Sequence, residues 1–438
     1  MRRPRHRRDP SNRRPSLPSP KPWRFLHGLA AKPVMLAGLL SGLLAIGLPL
    51  GSVWFADEFA ARAVADRRDQ DALGWIDYAE HLRGASPRGL LLKARLARRM
   101  GNREEMASLL NSAERAGAAP AAVRREWMLA EIQSGRLAEL EPTVKTWLVN
   151  NDPDLPEIAD AYANGLAASS RFDEALHVLG AWGQDYPSDP MPAFRAGRIH
   201  EFFEDFESAA SGYEEAVTRN AAFLPARFAL GRVLLRQKKP EEALCQFEAC
   251  RTGPATLAAE VATAECLSEL GRTDAARQQL EAVLEHSEPE IHRSYVLLLA
   301  RQECFVAARL LGTLETNEGA YEQGLALLDQ ALRYNPRDVA ARYSRAVALR
   351  GLGQTAEAEA ELADIEDNRA AMQKVNTLRN KINRDPDDVA SRIELGVLLA
   401  EHESVENGLF WLRSALARDP DNQLAQQQID ELITRSSP

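Results

Sequence analysis

Apolar residues recur every three or four positions through most of this chain, interrupted by short polar turns, and that spacing predicts a succession of amphipathic helices. The pattern is cleanest from Met191 to Arg251, where AFRAGRIHEFFEDFESAASGYEEAV is followed by ARFALGRVLLRQKKPEEALCQFEAC. Gly197 lies over Gly231, Ala209 over Ala243, Tyr213 over Phe247 and Ala216 over Cys250, each pair 34 residues apart. Small residues recur where two helices must touch, with large apolar ones between them. A period of this length predicts helical hairpins stacked as a solenoid.

The small residue that opens the second helix of each hairpin can be followed through Ala72, Met106, Leu140, Ala175, Ala209, Ala243, Ala276, Gly324, Ala358 and Gly408. The successive gaps are 34, 34, 35, 34, 34, 33, 48, 34 and 50. The two long gaps are filled by helix-like sequence, around Ile291–Gln302 and Asn368–Ile382, which predicts extra or lengthened helices and a seam near Glu288. Turn residues agree with the register. Gly101, Gly135, Gly271 and Gly353 each fall where a first helix should end. Asn335-Pro336, Asp385-Pro386 and Asp419-Pro420 stop second helices.

Composition alters this picture mainly at the N-terminus. Residues 1–32 hold ten Lys/Arg against one Asp, while the rest of the chain holds 44 basic and 62 acidic residues, a balance of −18. So acidic a body repels nucleic-acid phosphates. The Arg- and Pro-rich residues 1–32 read as a disordered basic tail in the cytoplasm. From Pro33 to Ala56 no charged residue occurs in 24 positions. At 1.5 Å per residue that is roughly 36 Å of helix, enough to cross a bilayer core of about 30 Å. We expect an uncleaved transmembrane helix over 33–56, in preference to a cleavable signal peptide or a twin-arginine signal at Arg13-Arg14. With the basic flank held inside, the repeats would lie outside the cytoplasm, in the periplasm of a bacterium. Gly38/Gly42 and Gly47/Gly51 are spaced for helix pairing but share no seam.

From Asp57 to about Ile433 the chain resembles a tetratricopeptide-repeat (TPR) protein, most closely in AFRAGRIHEFFEDFESAASGYEEAV, GLALLDQALRYNP and GLFWLRSALARDP. The resemblance implies an all-α, right-handed superhelical solenoid of paired helices with a concave groove for protein or peptide partners. The expected organisation is an N-terminal array over 57–287 and a C-terminal array with helical insertions over 288–438.

Candidate chemistry is sparse. There is no Gly-rich phosphate loop, zinc-ligand spacing or nucleophile elbow, and His200 sits alone on an apolar helix. Glu214-Glu215, Glu241-Glu242 and Glu357/Glu359/Glu361 read as solvated helix backs. We therefore expect no enzyme, no cofactor, no metal and no small-molecule substrate. Of the four cysteines, Cys250 occupies a small core position, as Ala216 does one repeat earlier. It could alternatively pair with Cys266 on the adjoining helix as a disulfide.

The resemblance also implies that first helices line the concave face. Helical spacing then selects Phe194, Arg198 and Phe202, followed by Phe228, Arg232 and Arg236, with Tyr343 and Arg350 farther along and Arg95, Arg98 and Arg99 toward the N-terminus. Arginine forks and aromatic rings suit an acidic or carboxylate-ending peptide. One TPR subgroup clamps a terminal carboxylate with Lys, Asn and Arg on successive first helices. Here Asn164, Arg198, Arg232 and Glu265 follow one another, a partial match from which the clamp is not carried over. The other reading of these arginines is pairing with neighbouring glutamates. Two functions fit: a membrane-anchored interaction scaffold, or an accessory chaperone of envelope or cytochrome biogenesis that holds client chains.

Overall fold

The computed structural model describes residues 52–137, 139–150, 152–300 and 306–436. The chain divides into two units, Met1–Phe55 and Ala56–Pro438, and the second carries nearly all of the helical array. The expected basic tail and most of the expected membrane helix lie outside the described residues. Among the described residues are 22 α-helices and no strand, and no helix is long and apolar enough to cross a membrane.

The helices pair in sequence order. The first five hairpins in sequence order are α1 (52–65) with α2 (Asp69–Arg83), α3 (Pro87–Arg99) with α4 (Arg103–Arg115), α5 (Pro120–Gln133) with the short α6 (Glu141–Val149), α7 (Leu155–Ala168) with α8 (Phe172–Asp185), and α9 (Met191–Phe202) with α10 (Phe206–Arg219). Both α5 and α6 pack mainly on α7. Next come α11 (Leu224–Arg236) with α12 (Pro240–Glu248) and α13 (Thr256–Glu269) with α14 (Thr273–Leu284). A single helix, α15 (Glu288–Leu297), interrupts the series. The pairing resumes with α16 (Val306–Asn317) and α17 (Tyr321–Tyr334), α18 (Val339–Gly351) and α19 (Thr355–Arg384), and α20 (Val389–His402) and α21 (Val405–Arg418), before α22 (Gln423–Ser436) closes the chain.

The hairpin turns record the period. A residue with positive φ sits between first and second helix at Arg67, Gly101, Gly135, Ser170, Glu204, Lys238, Gly271, Gly319 and Gly353. At Lys238, for example, the amide donates to the Leu235 carbonyl at 3.0 Å and the next amide to Leu234 at 2.9 Å, which satisfies carbonyls that the helix end would orphan. The tenth turn departs from the series, because Glu403 between α20 and α21 keeps a negative φ of −120°.

Within a hairpin the helices approach through glycine. A Cβ on Gly197 would lie 2.8 Å from the Tyr213 ring, and one on Gly231 would lie 2.6 Å from Phe247. Gly312 and Gly396 stand in the same relation to Leu328 and Leu412, at 2.9 and 2.7 Å. In all four hairpins the glycine precedes its cover by 16 residues, so one packing geometry serves both ends of the array.

The two long gaps have different causes. The first is α15, a separate helix capped by Ser287 and Glu290. The second is an uninterrupted second helix, α19, which is 30 residues long. Its N-terminal part packs on α18, and its later turns bury Val375, Leu378 and Ile382. One expected position fails: Leu140 is only the half-buried N-cap of a short α6, and Val144 is the residue that fills the core there.

The array also closes on itself. Its largest apolar cluster runs from Leu129 in α5 to Trp411 in α21. Phe172 and Phe202 meet Trp411, and Arg418 of α21 pairs with Asp173 of α8 at 2.7 Å.

Candidate functional site, an arginine-lined concave cavity

The first helices α3, α5, α7, α9 and α11, with Leu299 and Ala300 after α15, Arg379 of α19 and Glu403 of the α20–α21 turn, bound a cavity of about 910 Å³. Among the described lining residues, six are arginines (Arg99, Arg195, Arg198, Arg232, Arg236 and Arg379) and three are glutamates (Glu201, Glu204 and Glu403). The cavity is thus positive inside an acidic domain.

The arginines differ in how they are committed. Arg195 holds Asp160 at 3.0 Å. Arg232 holds Glu201 at 2.8 Å, and the other oxygen of Glu201 accepts from the Tyr213 hydroxyl. Burial and the Glu201 charge push the Tyr213 hydroxyl well above its ordinary pKa, so it remains a donor. Arg379 lies over the Phe202 ring at 5.3 Å, with its Nη2 4.0 Å from Glu403. Its Nε is buried and meets no acceptor among the described residues. Arg198 donates to the Leu299 carbonyl at 3.2 Å. Neither Arg198 nor Arg236, both exposed, has a carboxylate partner among the described residues. A planar fork left with donors to spare is suited to gripping a carboxylate.

The expected site residues sort into three groups. Arg198, Phe202, Arg232 and Arg236 do line the cavity. Phe194 and Phe228 are core residues, each 1% exposed; Phe194 borders the cavity wall but Phe228 does not reach it. Phe194 packs on Tyr213 and Phe223, and Phe228 on Phe247 and Tyr295, because those rings fill the seam between helices. Tyr343 and Arg350 are exposed on α18 but line no part of this cavity.

Toward the N-terminus the pairing alternative holds. Arg95 and Arg98 share Glu126 at 2.8 and 3.0 Å, and Arg95 also reaches Asp154. Glu157 is approached by Arg98 at 2.6 Å, by Arg67 at 3.3 Å and by Arg99. Arg67, Arg98, Arg99, Glu126, Glu157 and Asp160 are all buried, so this network ties the first helices α3, α5 and α7 and the α1–α2 turn to one another, and its charges are spent on internal pairs. Burial pushes the Glu157 carboxyl up, but Arg99, Arg67 and Arg98 outweigh it and hold the group well below the usual range.

Cys250 and Cys266 are both free thiols, which corrects the disulfide expectation. Cys250 turns its sulfur to the Leu224 carbonyl, 3.7 Å away, and Cys266 is buried in α13. Burial pushes each thiol up to about 12. Cys304 lies outside the described residues. Among the described residues no group of three His, Cys, Asp or Glu is placed to hold a metal.

Sequence reasoning missed Arg195 and Arg379. Arg379 belongs to the added turns of α19, where the repeat period gives no register.

Tetratricopeptide-repeat family models match residues 194–254 and 316–382. The chain thus carries tetratricopeptide repeats on both sides of α15, within an all-helical solenoid. Among curated proteins none matches this sequence. Similar solved structures include a human IFIT1 dimer with PPP-AAAA (16% identity, 84% of this chain and 95% of that one, TM-score 0.39). Another is Cut9 with Hcn1 from an APC/C hetero-tetramer (13%, 89% and 91%, TM-score 0.34). A third is a tetratricopeptide repeat protein from Parabacteroides merdae (15%, 69% and 99%, TM-score 0.34).

Proposed function

We propose that this chain is an interaction scaffold that receives an acidic segment of a protein or peptide partner in the arginine-lined cavity. The observation that carries the reading is the pair Arg198 and Arg236, which face the cavity without a carboxylate partner among the described residues. Most other arginines of the array are spent on internal pairs, as Arg95, Arg98 and Arg99 are. Phe202 and the stem of Arg379 supply apolar contact beside the charges.

The scaffold is held at a membrane by the apolar stretch 33–56, with the repeats outside the cytoplasm. That part of the reading rests on the absence of charge in 24 positions and on the basic flank that precedes them.

The test of binding is fluorescence anisotropy of the full chain in detergent, using a labelled Glu-rich peptide and its Gln counterpart. Tighter binding of the Glu peptide, weakening as salt rises, is expected. Equal binding of both peptides would contradict the acidic-partner reading and favour a client-holding chaperone.

A further inference from the structure

The first hairpin carries a second surface, unrelated to the cavity. Phe59 in α1 and Trp75, Tyr78 and Leu82 in α2 are 43, 39, 46 and 42% exposed, an unusual density of large apolar side chains in solvent. Trp75, Tyr78 and Leu82 are spaced i, i+3 and i+7, so they share one face of α2. The Phe59 ring stacks on Trp75 with centroids 5.2 Å apart, and Trp75 meets Tyr78 edge-on at 6.3 Å. Phe59, Trp75 and Tyr78 form one continuous aromatic patch, and Leu82 extends its apolar face along α2.

Its position along the chain is informative. Arg83, the last residue of α2, grips Asp57 through both oxygens at 2.5 and 2.6 Å. Asp57 is the first residue after the charge-free stretch. The C-terminal turns of α2 therefore return to the level at which that stretch ends. A helical rise of 1.5 Å per residue puts Phe59 only about 5 Å beyond Ala56. The polar layer on each side of a bilayer core is roughly 5–8 Å thick. Trp and Tyr concentrate in that layer, where an apolar ring and a polar edge are both accommodated.

The charges around the patch are settled locally. Glu58 lies 3.4 Å from Arg62 and 3.7 Å from Arg88, and Lys93 on α3 takes both Asp77 and Glu80 of α2. The rim is close to neutral, so contact with lipid here does not depend on anionic headgroups.

We propose that Phe59, Trp75, Tyr78 and Leu82 dock the first hairpin into the headgroup layer of the bilayer that holds the chain. The inference rests on the membrane-anchor reading of 33–56, and its test separates the two. Full-length protein carrying Tyr78→benzoylphenylalanine is reconstituted into phosphatidylcholine vesicles and irradiated, with Tyr343→benzoylphenylalanine as the control. Carbonate washing reports the anchor independently. The expected result is a phospholipid adduct at position 78, none at 343, and protein retained in the vesicles. An equal yield at 78 with anionic lipid added supports the neutral contact. No lipid adduct at 78 in carbonate-resistant protein overturns the docking while leaving the anchor standing. A protein–protein adduct at 78 overturns it in favour of a second copy. Release of the chain by carbonate overturns the anchor and the docking together.

Discussion

Phe202 in α9 lies flat against Trp411 in α21, with ring centroids 5.7 Å apart and planes inclined by only 14°. The stack joins residues far apart in the sequence and holds α21 against α9 beside the cavity. Arg379 lies over the Phe202 ring, and Phe172 meets Trp411 at 6.1 Å. Trp411 is 1% exposed, so its indole is part of the core.

Trp411→Ala should therefore remove the clasp. Deleting a buried Trp side chain costs about 3–5 kcal/mol. Because repeat arrays lose cooperativity when neighbours uncouple, the loss should appear as an earlier unfolding phase confined to the C-terminal helices. Hydrogen exchange should show faster opening of α20 and α21 with α3 to α5 unchanged. Asp173→Ala, which breaks only the half-exposed pair with Arg418, should cost less than about 1 kcal/mol.

The buried ion network sets an acid limit. Burial raises the Glu157 and Asp160 carboxyls, but the arginines around them win, and both groups are held below their ordinary values. A carboxylate with a depressed folded-state pKa contributes stability that is complete above its unfolded pKa and is lost as pH falls toward the folded one. Urea midpoints should be flat above about pH 5 and decline below it. Glu141, brought down to about 2 chiefly by its hydrogen bond from Arg171, adds to the same slope. Glu157→Gln leaves Arg67, Arg98 and Arg99 buried without their shared counter-charge and should cost about 3–5 kcal/mol at neutral pH. A loss below about 1 kcal/mol would show that the network is not a unit.

Glycine is required at the helix crossings. Gly231→Ala would place a methyl 2.6 Å from Phe247, whose ring is itself fully buried and cannot retreat. Overpacking of that kind costs about 1–3 kcal/mol. The opposite sign is expected at Lys238, a non-glycine residue with φ of 60° in an exposed turn. Lys238→Gly should be neutral or stabilising by up to about 1 kcal/mol. Thermal denaturation of the two variants side by side checks both signs.

Much of the fold is legible in the chain. The 34-residue series of small residues reappears, gap for gap, in the turn residues from Arg67 to Gly353. The added helix and the lengthened one fall where the period breaks. The residues facing the cavity are harder to read. Spacing groups residues on a helix face without saying which face meets a neighbour, and a first helix of a stack is buried on two sides. Spacing alone therefore puts Phe194 and Phe228 in the groove as contact residues, although both rings are buried against neighbouring aromatic rings in the core. Arg198, Arg232 and Arg236 lie on the next turn of the same face and reach the cavity. The closure through Phe202 and Trp411 has no local signal, since a period describes neighbours and not contacts between distant repeats.

The most direct measurement of the central claim is calorimetric titration of the full chain with the Glu-rich peptide, comparing wild type with Arg198→Glu/Arg236→Glu. Both side chains are exposed, so the variant should keep its wild-type unfolding temperature. Reversing two charges that face an acidic ligand should weaken binding at least tenfold at moderate salt. Unchanged affinity in a folded variant would contradict the assignment of the cavity as the partner site.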